Sequence, residues 1–471
     1  MIDKLEFKGL WFLPHEEERK VPGTLSFDPA NNRHFLELIG SFYDMSDNDG
    51  EEIIFGVTSE GDEITLYQCQ FSSSTGIPRN ENDLKGRFSN KNKPSTLNFR
   101  VNYMLKGIHI PNIGSFTFNS IYTTIYNLHE WVGISGISVD REIPNCEDVI
   151  TFAKPQPIVI AIDEDLELEI KFHSNFPLYA RAIKEQTLKQ HTTFALRFKK
   201  GQSIDGLLYN VKKFQNFLSA STQSQTRIED AEIYSDQFRN KYDMAIHIKL
   251  YTIISPNLKF GKPKEDWQMI FTYSDIEDKF KSIIQNWFKY YERFEAPFNL
   301  VFGQFYLSEY YLEVMFINVA QAAESFHSKL KIVEDEERKI QDVEFKKKVD
   351  LVLNSVPEDL KDWVKSKLTN PLHFDTRLKY LISEFSNDQI NAMIGDKDEF
   401  IKAIVRTRNY LTHYHSNGKK RASDGLELVL LMKRLRLLLI CSFLVNSGMD
   451  KNLLDKLIKK KTYMMFRSYF D

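Results

Sequence analysis

The sequence predicts an α+β protein in which an N-terminal antiparallel β-rich domain, sandwich or barrel-like, is followed by an all-α helical bundle. Residues 1–200 consist largely of short runs in which apolar and polar residues alternate between turn-forming residues, the pattern of half-buried strands. From Asp275 onward, apolar residues recur at helical spacing. The stretch 256–266 contains Pro, Gly and Lys and is the best linker candidate. We therefore divide the chain into domains 1–265 and 266–471.

The predicted strands of the first domain are apolar runs bounded by turn residues, at 24–27, 35–39, 63–67, 97–110, 115–128, 158–162, 166–172, 192–198 and 244–254. Residues 72–96, rich in Ser, Asn and Lys, are predicted to form a long loop between strands. Residues 202–221 carry an apolar stripe at helical spacing and are predicted to form a helix before the last strand.

The second domain is predicted to be helical at 276–294, 305–331, 358–368, 373–385, 396–415, 426–445 and 451–470. The acidic residues that open the helix 396–415 suit a helix N-terminus. The charged run 333–349 is typical of a solvated face or a crossing segment, so we assign no chemistry to it.

The composition is that of a globular protein with patchy charge. The 471 residues include 42% hydrophobic and 13% aromatic side chains, which is enough apolar surface for sizeable cores. The formal net charge is only −3, so any contact with a polyanion has to be local. A uniformly basic protein that coats nucleic acid is excluded.

Cysteine usage and hydropathy indicate a cytoplasmic protein. The three cysteines, Cys69, Cys146 and Cys441, are far apart and fit neither a disulfide framework nor a zinc-binding spacing. No set of carboxylates, cysteines and histidines has the spacing of a zinc or magnesium site, so we expect no metal or other cofactor. The most apolar stretch, 426–445, is interrupted by basic residues, and the chain start lacks the pattern of a secretory signal. We expect no membrane segment.

The candidate catalytic residues lie in the predicted helix 396–415. Arg408, Asn409 and His413 place a strong cation, an amide and an imidazole close together in sequence. On an ideal helix Asn409 and His413 share a face, whereas Arg408 and His413 diverge by about 140°. The arginine therefore has to reach its target, and a bound phosphate or a second chain can supply the point of convergence. Phosphate is the expected ligand.

Two neighbouring residues offer alternatives within the same helix. Arg406 and His415 satisfy a looser spacing, and we select Arg408 because a polar residue, Asn409, follows it directly. The simpler interpretation of this pattern is a solvated helix face that carries no chemistry.

Further polar residues are predicted to support the site. Glu324 and His327 are three residues apart on the predicted helix 305–331 and share a face, where they either support the site or form an exposed polar edge. Lys419, Lys420 and Arg421 follow the helix 396–415 closely, so they are either an ordinary polar turn or phosphate contacts.

Two families resemble parts of this sequence. The pattern Arg408-Asn409-x-x-x-His413 resembles the R-[N/D/H]-x3-H signature of the HEPN superfamily, in which a helical bundle carries metal-independent ribonucleases. The segment 316–327 is similar to the helix that precedes the catalytic one in ApeA-like HEPN domains. In the first domain, the blocks that resemble the ApeA N-terminal domain are 9–14, 21–29, 36–42, 53–58, 64–69 and 131–136. ApeA proteins are bacterial anti-phage proteins with this order of domains, and the resemblance covers nearly the whole chain.

The resemblance implies a cytoplasmic anti-phage effector that cleaves RNA without a metal, with tRNA as a candidate target. Arg408 would stabilise charge on the phosphate, His413 would move a proton and Asn409 would orient either the histidine or the phosphate. HEPN sites are generally shared between two chains, and this sequence contains one convincing HEPN unit, so we expect a homodimer. The N-terminal domain would sense a phage-derived trigger.

Two functions of other classes stay open. The first is a non-catalytic HEPN module that binds nucleic acid or a nucleotide while the β-rich domain recruits a partner. The second is a carbohydrate- or peptide-binding β scaffold with a helical dimerisation tail. The β-rich half shows no phosphate loop, metal-ligand cluster or nucleophile elbow, which favours sensing as its role.

Overall fold

The computed structural model of the chain describes residues 4–28, 33–42, 52–75, 96–142, 147–175, 187–252, 261–307, 311–330, 336–368, 372–414 and 416–461. The chain forms two compact units. The first comprises Met1–Phe288 with Phe305–Ser308, and the second comprises Lys289–Gln304 with Glu309–Asp471. The first unit is mainly antiparallel sheet and the second is helical, which confirms the predicted fold class.

The strands of the first unit are β1 (Leu5–Phe12), β2 (Val21–Asp28), β3 (Arg33–Ile39), β4 (Ile53–Thr58), β5 (Glu63–Thr75), β6 (Thr96–Lys106), β7 (Phe118–Ile125), β8 (Ile137–Glu142), β9 (Glu147–Phe152), β10 (Ile158–Ala161), β11 (Leu166–Asn175), β12 (Lys189–Gln202), β13 (Ile228–Tyr234) and β14 (Ile248–Thr252). Two helices interrupt them, α1 (Leu128–Val132) and α2 (Ile204–Thr222). The hairpin of β8 and β9 was not predicted from the sequence.

Strands β1 to β6 close into an antiparallel barrel. The ring runs β1, β2, β3, β6, β5, β4 and back to β1, and the pairing of β5 with β6 closes it. β6 is longer than β3, so residues 96–100 pair with β3 while residues 103–106 pair with β14. From β14 the sheet continues through β13, β7, β12, β11 and β10. The barrel therefore widens into an open sheet along one long strand.

Trp11 fills the barrel at a point where two other strands carry glycine. The side chain is fully buried. A Cβ atom at Gly56 would lie 2.4 Å from the Trp11 ring, and one at Gly23 would lie 3.0 Å from it and 2.6 Å from the carbonyl oxygen of Glu37. The indole thus occupies the space that side chains at these positions would need, so both glycines are required sterically.

The helices of the second half are α3 (Tyr273–Tyr291), α4 (Glu295–Phe302), α5 (Leu312–Lys329), α6 (Glu336–Asn354), α7 (Glu358–Lys367), α8 (Phe374–Phe385), α9 (Asp388–Ile394), α10 (Lys397–His413), α11 (Ser416–Lys419), α12 (Gly425–Asn446) and α13 (Lys451–Lys461). Within the described ranges, no helix combines the length and apolar composition that a membrane crossing requires.

A second aromatic core in the first unit forms around Trp131 of α1. Its ring meets Phe214 and Phe217 of α2 edge-on, with centroid distances of 6.1 and 6.0 Å. Phe280 of α3 lies 5.7 Å away. Edge-to-face rings at these distances add to the apolar burial. This core explains why the first part of α3 belongs to the first unit, whereas the division at residues 265 and 266 stays a prediction from the sequence.

The helical unit is organised by three buried phenylalanines. Phe443 of α12 lies 4.5 Å from Phe298 of α4 and 4.9 Å from Phe326 of α5, measured between ring centroids. All three side chains are at most 1% exposed. Because Phe326 is fixed in this core, the polar residues on either side of it in α5 have defined positions.

The limits of several predicted helices differ from the structure. The helix predicted at 276–294 spans Tyr273–Tyr291, and the end of the helix predicted at 451–470 lies outside the described residues. The helix predicted at 305–331 begins at Leu312, because Gly303–Tyr306 forms a separate 3-10 turn. The helix predicted at 396–415 ends at His413, because Tyr414 adopts a left-handed backbone conformation with φ of 50°.

We predict that Gly56→Ala destabilises the barrel, because the added methyl group overlaps the Trp11 ring in a closed sheet that has little room to relax. The expected loss is about 1–3 kcal/mol of unfolding free energy, the usual range for overpacking. Denaturant unfolding of the full chain measures it.

Gly261→Ala is the matched control, since a Cβ at Gly261 meets nothing within 4 Å. Equal stability of the two variants would show that Trp11 does not require the glycine.

Candidate active site

Helix α10 carries the predicted catalytic residues and has well-defined ends. The Asp396 side chain accepts a hydrogen bond from the Glu399 backbone N–H at 2.9 Å, which caps the first turn. At the other end, the Tyr414 N–H donates to the Tyr410 carbonyl at 2.6 Å. The buried face of the helix includes Ile404 and Thr407. Arg408 therefore lies at the edge of the buried face.

Three groups from three helices surround the Arg408 guanidinium. Its Nη2 donates to Glu324 Oε2 of α5 at 3.1 Å, and its Nη1 donates to Asn409 Oδ1 at 3.2 Å. The guanidinium carbon lies 5.6 Å from the centroid of the Phe374 ring of α8, within the range of cation–π contact. About a third of the Arg408 side chain, 33%, remains exposed. The arginine is thus fixed from one side and open to a ligand from the other.

Arg377 of α8 supports this arrangement from behind. Its Nη1 donates to the backbone carbonyl of Glu324 at 3.4 Å, and its Nε donates to the carbonyl of Leu372 at 3.2 Å. It ties the start of α8 to the turn of α5 that carries Glu324. Arg377 and Phe374 were missed in the sequence, where their only signal is an i, i+3 spacing on one predicted helix.

His327 occupies a buried position next to this group. Its side chain is 4% exposed, and its ring meets the Tyr380 ring edge-on at 5.1 Å. Nδ1 is buried and has no hydrogen-bond partner among the residues that the structure describes. Burial, together with the smaller effect of the nearby Arg377 charge, lowers the pKa of His327 to about 4. His327 is therefore a neutral packing residue at physiological pH.

His413 lies apart from the Arg408 contacts. It is exposed, and as the last residue of α10 it follows Arg408 by five positions, which turns it about 140° around the helix. Thr412 lies between them and its hydroxyl donates to the Arg408 carbonyl at 2.7 Å. The structure brings Arg408, Asn409 and Glu324 together, whereas the helix turns His413 about 140° away from Arg408 and leaves it on the face of Asn409.

The predicted basic residues lie on an exposed turn after α10. Lys419, Lys420 and Arg421 are all exposed, as is Arg406 on α10. The segment before these residues lies close to α10, since a Cβ at Gly418 would be only 3.3 Å from the Tyr410 ring. The Ser423 N–H also donates to the hydroxyl of Thr407 at 3.0 Å. His415, the alternative histidine, lies outside the described residues.

The described residues contain no group of three or more His, Cys, Asp or Glu side chains that is placed to hold a metal ion. Arg408 is the cation that α10 presents beside a supporting carboxylate and amide. In this geometry the planar guanidinium can donate hydrogen bonds to the oxygens of a phosphate group.

Comparison with known families identifies two domains in succession. The model for ApeA N-terminal domain 1 matches residues 6–287, which is more than half of the chain. The model for Apea-like HEPN matches residues 317–453, a span that contains Glu324, Arg408 and His413. This order confirms the architecture expected from the sequence. No curated protein and no solved structure matches the chain.

We predict that His327 makes the helical unit less stable in mild acid. The folded state keeps His327 neutral down to about pH 4, whereas the unfolded chain takes up this proton near pH 6.5. The stability that depends on neutral His327 is therefore fully present above pH 6.5 and is lost as the pH falls towards 4. The expected total loss is on the order of 3 kcal/mol. Urea unfolding between pH 7.5 and 4.5 measures it.

His327→Gln should flatten this pH dependence. His34→Gln should reduce the pH dependence of the barrel in the same way, since burial also lowers the pKa of His34 to about 4. An unchanged pH slope in His327→Gln would contradict the assignment.

Proposed function

Because the chain belongs to the ApeA N-terminal domain 1 family and carries an Apea-like HEPN domain after it, we propose that it is an endoribonuclease of anti-phage defence. These two domains place the chain in a family of anti-phage effectors. The observation that carries the proposed reaction is the position of Arg408, which is one third exposed and held by Glu324 and Asn409 on the helix that ends at His413.

The proposed reaction uses the ribose of the substrate as the nucleophile. The 2′-oxygen attacks the adjacent phosphorus, the bond to the 5′-oxygen breaks, and the products carry a 2′,3′-cyclic phosphate and a 5′-hydroxyl. Arg408 stabilises the charge that develops on the phosphate oxygens. His413 transfers a proton between the reacting oxygens and solvent, and Asn409 orients the arginine. DNA resists the reaction because it lacks the 2′-hydroxyl.

The separation of Arg408 and His413 on α10 favours a site that two chains share. The two side chains point about 140° apart, so one helix presents them poorly to a single phosphate. A two-fold axis beside α10 would let the arginine of one protomer face the histidine of its partner. We therefore propose a homodimer of the HEPN domain.

RNA is the proposed substrate, and tRNA is a candidate because its cleavage stops growth. The exposed cations Arg406, Lys419, Lys420 and Arg421 surround the end of α10 and would neutralise neighbouring phosphates. Contacts of this kind make binding strongly dependent on salt concentration.

The first unit is the proposed sensor of a phage-derived trigger and restrains the nuclease until infection. It contains a polar cavity of about 470 Å³ whose lining includes Tyr126, His129, Arg227 and Glu229. A cavity of this size with several converging polar groups suits ligand recognition rather than packing.

A second candidate function is a HEPN module that binds RNA or a nucleotide without cleaving it. The ion pair between Arg408 and Glu324 favours it, since a guanidinium with an internal carboxylate partner can serve as a binding group alone. The two functions differ in whether loss of His413 abolishes cleavage or only weakens binding.

We predict that the chain cleaves RNA in EDTA and that Arg408→Ala and His413→Ala each lower the rate by at least about 100-fold. The measurement incubates bacterial RNA with each variant, in buffer and in extract from infected cells, and maps the new ends. Lys402→Ala, at an exposed cation of the same helix that pairs with Glu399, is the matched control and should stay within a few-fold of wild type. Cleavage by His413→Ala at the wild-type rate would reject the catalytic assignment.

We also predict that mixing the two inactive variants restores activity. In a heterodimer of Arg408→Ala with His413→Ala, one shared site keeps both groups, so an equilibrated equimolar mixture should recover about a quarter of the wild-type rate. A site contained within one chain would give no recovery. Unmixed variants at the same total concentration are the control.

A further inference from the structure

A second cavity, of about 520 Å³, lies within the helical unit. Its lining combines the cations Lys289 and Arg293 and the aromatic rings of Tyr290 and Tyr380 with apolar residues, which include Leu330, and with one carboxylate, Glu384. Small-molecule sites in proteins range from about 300 to 1,000 Å³, so the cavity has room for one nucleotide.

The cavity is connected to the Arg408 group by matched contacts along α5 and α8. Arg377 meets the backbone of Glu324, and three residues later in both helices Tyr380 meets His327. Three residues after His327, Leu330 directly follows the end of α5 and lines the cavity together with Tyr380. The two helices thus form a continuous wall from the candidate catalytic arginine to the cavity.

The spacing along α8 suits a single strand of RNA. Arg377, Tyr380 and Glu384 share one face of the helix, and the axial distance from the first to the last is about 10 Å. A strand bound with its cleaved phosphate at Arg408 therefore needs only a few nucleotides to reach the cavity.

The side chains of the cavity suit a base and its phosphate. Lys289 Nζ lies 5.9 Å from the centroid of the Tyr290 ring, and the Arg293 guanidinium lies 5.3 Å from that of Phe294. Tyr290 and Tyr380 are half-buried, so each ring contributes exposed surface to the cavity. Aromatic rings flanked by cations are the combination that proteins use to stack a base and to hold its backbone.

We propose that this cavity binds one nucleotide of the RNA strand, a few positions from the cleaved linkage. The base lies against Tyr290 and Tyr380, and its phosphate contacts Lys289 and Arg293. Glu384 is placed to accept a hydrogen bond from the base edge. This assignment rests on the proposed function, because it takes RNA as the substrate.

The test measures binding separately from cleavage. Fluorescence anisotropy follows a 2′-O-methyl RNA, which cannot be cleaved, as it binds the full chain. Tyr290→Leu, and the double variant Lys289→Ala with Arg293→Ala, should each weaken binding by about tenfold or more. Tyr290→Phe should bind like wild type because it keeps the ring. Lys379→Ala, an exposed cation of α8 outside the cavity, is the control and should change binding less than about twofold.

Crosslinking to the wild-type chain locates the bound RNA without the use of variants that fail to fold. RNA that contains 4-thiouridine should crosslink to Tyr290 or Tyr380 in the wild-type chain, as mapped by mass spectrometry. Crosslinks confined to other surfaces, or unchanged affinity in folded Tyr290→Leu and double variants, would overturn the proposal.

Three further outcomes separate the sources of failure. If wild type cleaves RNA and the cavity variants bind it normally, the cavity assignment fails and the proposed function stands. If wild type neither binds nor cleaves RNA in extract from infected cells, the proposed function fails and the cavity assignment falls with it. Cavity-dependent binding of AMP or UMP that RNA does not compete with would overturn RNA as the occupant and identify a free nucleotide instead.

Discussion

An arginine on a helix surface normally samples many rotamers, and the Glu324 carboxylate at 3.1 Å restricts that freedom for Arg408. Both side chains are about one third exposed, so the pair adds at most about 1 kcal/mol to stability. The main effect of the pair is to fix the position of the Arg408 guanidinium. Phe326 fixes α5 in the core, Arg377 holds the backbone of Glu324, and the capped helix α10 delivers Arg408 to the carboxylate. A preorganised cation of this kind needs little rearrangement when charge develops on a bound phosphate.

Each unit takes its shape from aromatic residues whose positions are sterically fixed. In the barrel, Trp11 fills space left by Gly23 and Gly56, and β6 joins the closed ring to the open sheet. In the helical unit, Phe443 joins α12 to α4 and α5. The polar residues of the candidate site lie at the edges of these cores. The buried His327 belongs to the packing, whereas His413 and the basic turn after α10 face solvent.

Local patterns in the sequence predicted the fold class and the main helices, and they selected Arg408, Asn409 and Glu324 as separate site candidates. They did not predict that Glu324 pairs with Arg408. They could not reveal Arg377 or Phe374, because each contacts α5 or α10 through tertiary packing and looks like an ordinary position of an amphipathic helix. Closure of the barrel was equally inaccessible, since it depends on one strand that pairs with three others. The end of α10 was placed too late because Tyr414, rather than a glycine, adopts the left-handed conformation.

In the proposed mechanism, Glu324 positions Arg408 for catalysis. A double-mutant cycle on the cleavage rate tests this role most directly. The cycle compares Glu324→Gln, Arg408→Lys and the combined variant, with unfolding curves to confirm that all are folded. If Glu324 acts through the arginine, Glu324→Gln should slow the wild-type enzyme by about tenfold or more but have little further effect once Arg408 is lysine. Equal effects of Glu324→Gln in both backgrounds, or a faster rate when Glu324 is replaced, would contradict the account.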